Sequence, residues 1–193
     1  MAYPATVEIQ TPDKMANWRP IGQMFMAIPH LIISYALTAL AEACAFISWF
    51  AILFTGKQPQ GLANIICMAL RYQTRTMAYA AFLHDKYPPF EFTSTAADPN
   101  DTPVRVNLPS PPESRNRVTV GFRLILAIPV LIFTALILIV SVVCGLIGFF
   151  AVLFTGKWPA ALRNWVLKGF NATIRMDAYV MLLTDEYPPF STE

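Results

Sequence analysis

A chain of 193 residues with 55% apolar and only 13% charged side chains carries about half the charge usual for a soluble domain, which argues against an ordinary water-soluble fold. A net charge of +2 is too small to hold nucleic acid, so nucleic acid is excluded as a partner and the Lys and Arg residues are read as membrane-flanking. Cys44, Cys67 and Cys144 are odd in number and lie in apolar stretches without a zinc spacing, which excludes a disulfide framework.

Residues 1–19 form an N-terminal tail with charges and prolines but no apolar core, so no cleavable signal is expected and the first long apolar run must direct insertion. That run, residues 24–54, holds one carboxylate, Glu42, and one histidine, His30. Its 31 residues reach about 46 Å as a helix, against a hydrocarbon core of about 30 Å, enough to cross with tilt. Pro29 suits a first helical turn, so the helix is expected to begin there, after an interfacial lead-in over 21–28. It ends at 54-FTGK-57, where Gly56 sits at a left-handed cap and Lys57 places a cation near the helix C-terminus. The turn lacks the full G-x-x-x-x-G-K-[ST] pattern of a phosphate loop.

A second, amphipathic helix is expected over 59–84. Asn64, Met68, Arg71, Arg75 and Tyr79 recur every three or four residues and fall on one face. The pattern permits a spanning helix, with its arginines toward protein or water, and equally an interfacial helix with its arginines on lipid phosphates. The unit closes at 87-YPPF-90, where two prolines stop the helix and the aromatics suit a membrane interface. Residues 91–118 contain five prolines among Ser, Thr, Asp and Asn and read as a flexible linker.

Residues 119–193 repeat residues 20–90. A shift of 100 overlays the chain on itself without a gap, and 26 of the 70 positions from 21 to 90 are identical to their partners. Ala27-Ile28-Pro29 meets Ala127-Ile128-Pro129, Cys44 meets Cys144, and 54-FTGK-57 meets 154-FTGK-157. Asn64, Arg75, Tyr79 and Asp85 meet Asn164, Arg175, Tyr179 and Asp185. The second stripe runs through Asn164, Lys168, Asn171, Arg175 and Tyr179, with a second helix expected over 159–184. A long apolar helix, an LFTG(K/R)xP turn, a second helix and a terminal DxYPPF make both copies resemble a bacterial membrane family known as domain of unknown function 4389. That resemblance implies membrane location and transfers no catalytic residue.

The expected fold is therefore an all-α membrane protein of two tandem helical hairpins, each a long transmembrane helix followed by an amphipathic second helix, spanning or interfacial. Two spans per copy would give four crossings, both copies in one orientation, and termini and linker on the cytoplasmic side of a bacterial inner membrane, where the positive residues gather. One crossing per copy would invert the copies.

Chemistry is sparse. His84 beside Asp85 suggests an acid–base pair, but no nucleophile with an orienting partner accompanies it, and neither histidine recurs in the other copy. No catalytic residue, metal site or cofactor is expected, and Asn171-Ala172-Thr173 is read as part of the polar stripe rather than as a glycosylation acceptor. The first functional expectation is a non-enzymatic scaffold or accessory subunit, with other membrane subunits or a homo-oligomer as partners. The second is an anionic-lipid-binding or membrane-shaping protein, and the third a small transporter or channel formed by oligomerisation. The lipid- or partner-binding candidates are Arg71, Arg75, Arg175, Asn64, Asn164, Tyr79, Tyr179, Lys57 and Lys157.

Overall fold

The computed structural model describes residues 3–95, 97–98 and 102–191. In chain order these hold β1 (Thr6–Ile9), α1 (Arg19–Thr55), α2 (Gln60–Ala80), β2 (Val104–Asn107), α3 (Arg117–Gly121), α4 (Arg123–Thr155) and α5 (Ala160–Val180). The helices α1 and α4 are the two long and apolar enough to cross a membrane.

Each repeat is a helical hairpin, as its punctuation predicts. Gly56 and Gly156 cap α1 and α4 with φ of 75° and 67°, and each donates its N–H back to residue 52 or 152. Left-handed backbone there turns the chain with no Cβ to clash. Pro59 and Pro159 lie just outside α2 and α5, in extended conformation at the N-cap. The long helices, however, begin earlier than their internal prolines suggest. Pro20 seats the first turn of α1, and Pro29 and Pro129 lie inside α1 and α4. Each internal proline removes one i→i−4 bond. The second helices also stop short of the expected ends, at Ala80 and Val180, because Phe82 and Leu182 take positive φ (46° and 65°) and Leu83 and Leu183 bond back to the carbonyls of Ala78 and Ala178.

The buried stripes of the long helices correspond residue for residue. Gln23, Ala27, His30, Ser34, Ala41, Cys44, Ser48 and Ile52 are buried on α1, and Arg123, Ala127, Val130, Thr134, Ser141, Cys144, Gly148 and Val152 on α4. Small side chains along this seam let α2 and α5 approach closely. The rest of each long helix is exposed or half-buried and almost wholly apolar, with Phe25, Ile32, Phe46 and Phe54 exposed on α1 and Ile125, Ile132, Phe150 and Phe154 on α4.

Two features depart from an all-α tandem. The tail and the linker each contribute a strand, and β1 pairs with β2 antiparallel in the register Thr6↔Asn107, Val7↔Val106, Glu8↔Arg105, Ile9↔Val104. The expected flexible linker thus contains a strand with an alternating buried–exposed pattern, Val104 and Val106 inward, Arg105 and Asn107 outward. Its low apolar content is sufficient because it borrows a surface: β2 packs on α2 and β1 on α5.

The second departure is orientation. Trp49 near the end of α1 donates to the carbonyl of Val120 at the start of repeat 2 (2.9 Å), and the carbonyl of Gly56 accepts from Arg115 N (3.0 Å). At the other end, Gly156 O accepts from Met15 N (2.8 Å). The end of each long helix therefore meets the beginning of the other, and α1 and α4 run antiparallel rather than in one orientation. The four-crossing expectation assumed a linker confined to one end. Instead the linker starts beside α1's first turn, where Arg19 donates to Asp85 O (2.7 Å), and finishes beside its last.

A dyad relates the two halves. Adding 100 to the buried positions of α1 gives those of α4, from Gln23 and Arg123 to Ile52 and Val152. The same shift, added to one partner and subtracted from the other, converts the Met15–Gly156 bond into the Arg115–Gly56 bond. The molecule is thus layered: ribbon on α2 and α5, which lie on α1 and α4.

Candidate functional site at the junction of the repeats

The polar stripes on the second helices meet the chain's own extended segments. Arg71, 2% exposed, donates to the carbonyls of Thr93 (3.2 Å) and Thr95 (2.5 Å). Arg75 is buried and pairs with Glu91 (2.8 Å) and with Asp98, whose other oxygen accepts from Val106 N (3.1 Å). On α5, Asn171 clamps β1 through both its amide atoms, accepting from Val7 N (2.9 Å) and donating to Val7 O (3.0 Å). Arg175 donates to Ser191 O (3.4 Å), and its own carbonyl accepts from the Tyr3 hydroxyl (3.4 Å). A lipid-facing reading expects these guanidiniums on an open surface; the structure places them under the linker and tail.

The other stripe residues scatter. Tyr79 and Tyr179 are buried, the first with its hydroxyl toward Met26 Sδ (3.8 Å), the second beneath the Arg123 guanidinium (4.1 Å from the ring centre). Asn64 is half-buried and accepts from Gln60 Nε2 (2.9 Å), whereas Asn164 is exposed. Lys57 and Lys157 are exposed at the two turns.

Sequence reasoning passed over a charged cluster at one end of the junction. Arg115, inside the linker, donates in bidentate fashion to Asp185 (2.8 Å each), and its third nitrogen reaches Gln58 Oε1 (2.9 Å) and Leu182 O (2.7 Å). Arg123 also pairs with Asp185. Burial by itself would raise the Asp185 carboxyl, but the hydrogen bonds and charges of Arg115 and Arg123 outweigh it and hold the carboxyl below its usual range. The opposite end is weaker by comparison. There Asp85 meets Arg19 at 3.9 Å with both side chains wetter, and Gln23, which stands where Arg123 stands in repeat 2, donates to His84 O (2.8 Å). His84 itself is buried and lowered to about 4 by that burial. A buried histidine whose neighbour Asp85 points to solvent offers no acid–base pair. The recurring Asp85 and Asp185 were the signal for the cluster; the unmatched Arg115 hid it.

Between the hairpins run two grooves of about 400 and 420 Å³. They correspond across the dyad and differ in chemistry. One is walled by Met77, Ala81, Val142 and Gly145, together with Ser141 and Asp177. In the other, Asp177 and Glu42 stand where the first has Met77 and Val142, beside Trp49 and Arg123. Among the described residues no three His, Cys, Asp or Glu side chains converge as a metal centre requires. What the junction can do chemically is hold charge at its arginines and carboxylates and present apolar surface around them.

A family model described as Domain of unknown function (DUF4389) matches residues 22–91 and 117–192. Neither the curated proteins nor the solved structures contain a match.

Proposed function

From the premise that this chain belongs to the domain-of-unknown-function 4389 family, with two segments matched in tandem, we propose that it is a non-enzymatic membrane-embedded scaffold or accessory subunit, seated in the cytoplasmic membrane of a bacterium with its termini and linker on the cytoplasmic side. One observation carries this reading. The two long helices expose much of their apolar surface, with only 22% of the most apolar window of each fully buried, while the buried cations are largely engaged inside the molecule. A chain that spends its polar groups on its own architecture and leaves its apolar faces outward is built to be surrounded by lipid and by other membrane subunits. Purification in mild detergent tests this: a stoichiometric partner or a defined homo-oligomer is expected, and a lone monomer without partners overturns it.

Lipid-headgroup binding retains Lys57 and Lys157, exposed at the turns, as candidates; Arg71 and Arg75 are already occupied by the linker. The transporter reading has one observation in its favour, the groove that Glu42 and Asp177 both line, where the corresponding groove has Val142 and Met77. Solute flux through liposomes carrying the wild type and the E42V variant decides it: flux lost in the variant supports the reading, and no flux in the wild type overturns it.

A further inference from the structure

We propose that the molecule lies along one face of a bilayer rather than across it, the α1/α4 layer sunk into a single leaflet and the ribbon layer facing water. This rests on the membrane residence proposed above and specifies its geometry.

The argument starts from the extended segments. The tail runs from Tyr3, whose hydroxyl reaches Glu186 O beyond the end of α5, to Met15, bonded at the turn that precedes α5. The linker runs from Asp85, beyond the end of α2, to Arg115, bonded at the turn that precedes α2. Each therefore travels the full length of a second helix. If the helices crossed the bilayer, these two strands would cross with them. Yet the ribbon is open, with only two strands, and it carries Glu8, Asp13, Lys14 and Arg105 exposed on its path. Hydrocarbon tolerates neither a lipid-exposed open sheet edge nor such charges, because nothing there bonds the edge N–H and C=O groups or hydrates the ions.

The packing order supplies the second line. β1 lies on α5 and β2 on α2, while α4 and α1 pack against those same two helices and not against the ribbon, so both apolar helices lie away from it. Such a molecule has one polar face and one apolar face, not an apolar belt around a polar middle. Helices about 10 Å thick lying flat fit within one leaflet, about half of the 30 Å core. Antiparallel repeats then need no crossing by the linker, and both turns with Lys57 and Lys157 lie at the same water boundary.

Sidedness is the test, on the full chain in its native membrane. Single-cysteine variants K57C, S94C and K157C, made after replacing the three buried native cysteines by serine, are treated with a membrane-impermeant maleimide in sealed vesicles of known orientation. All three are expected to label from the same side. Labelling of positions 57 and 157 from opposite sides would overturn the proposal in favour of antiparallel crossing. Labelling of both from the side opposite position 94 would overturn it in favour of four crossings. Because the serine background risks misfolding, wild-type Lys14, Lys57, Lys86 and Lys157 are also modified with an impermeant amine reagent and read by mass spectrometry; one side for all four is again required. Recovery of the chain in the soluble fraction without detergent would sink the membrane reading itself, an outcome distinct from labelling on both sides.

Discussion

Gly56 and Gly156 occupy the same position in the two turns, with φ of 75° and 67°, yet replacing them by alanine should not cost the same. Both substitutions force an L-residue into left-handed backbone, at about 1–2 kcal/mol. Their surroundings differ. A Cβ on Gly56 would first meet the Arg117 side chain, Nε at 3.3 Å, which can swing aside. A Cβ on Gly156 would stand 2.8 Å from the backbone carbonyl oxygen of Met15 and 2.9 Å from Asn17 Oδ1. Relief there requires the tail to shift, which breaks the Met15 N–H to Gly156 O bond of 2.8 Å, worth about 1 kcal/mol. We expect Gly56→Ala to lose about 1–2 kcal/mol and Gly156→Ala about 2–3 kcal/mol, a gap of about fivefold in the unfolding constant. Reversible unfolding in mixed detergent micelles, followed by tryptophan fluorescence, measures both. Equal losses, or a larger loss for Gly56→Ala, would refute the docking of the tail on the second turn.

Three further outcomes follow from the same geometry. Burial lowers His84 from 6.5 to about 4, so as pH falls through 6.5 the unfolded chain takes up a proton the folded chain refuses; wild type should lose about 2 kcal/mol more than His84→Thr between pH 7 and 5, and a constant difference would contradict this. Arg75→Gln leaves Glu91 and Asp98 without their cation and should cost about 3 kcal/mol in the same unfolding assay while leaving the content of co-purified anionic lipid unchanged; selective loss of that lipid at full stability would restore the headgroup reading. Trp158→Phe removes the bond from Nε1 to Phe82 O (3.0 Å) and should cost about 1 kcal/mol, against less than about 0.5 kcal/mol for the exposed neighbour Lys157→Gln.

Much of the scaffold was legible because it is written in local chemistry. Glycine after a long apolar run marked both helix ends, and the recurrence every 100 residues marked the repeat. The polar stripes were legible as stripes, but their occupant was not. Arg75 and Asn171 find their partners in segments whose composition reads as disordered, and composition does not reveal a surface lent by another element. A faint trace existed: 6-TVEI-9 and 104-VRVN-107 both alternate apolar with polar at nearly the same offset as the helices. The tail and linker share almost no identity, so the duplication did not draw attention to them. Orientation was left open in the sequence, parallel copies following from two crossings each and inverted copies from one. Parity reasoning counts crossings and takes every connection to turn back where it starts, whereas this linker needs some thirty residues to travel from one end of a hairpin to the other.

The matching of the two turns, Met15 on Gly156 and Arg115 on Gly56, has an evolutionary consequence. A half-length ancestor would have carried one strand, one hairpin and one vacant turn, each complementary to the same feature on a second molecule. Two such halves would have closed into a symmetric homodimer with no surface left over, and fusion of the two genes would then have freed one side of that dimer to diverge. Glu42 and Asp177, set against Val142 and Met77, are positions at which the two halves differ in charge and at which such a freed dimer would have changed first.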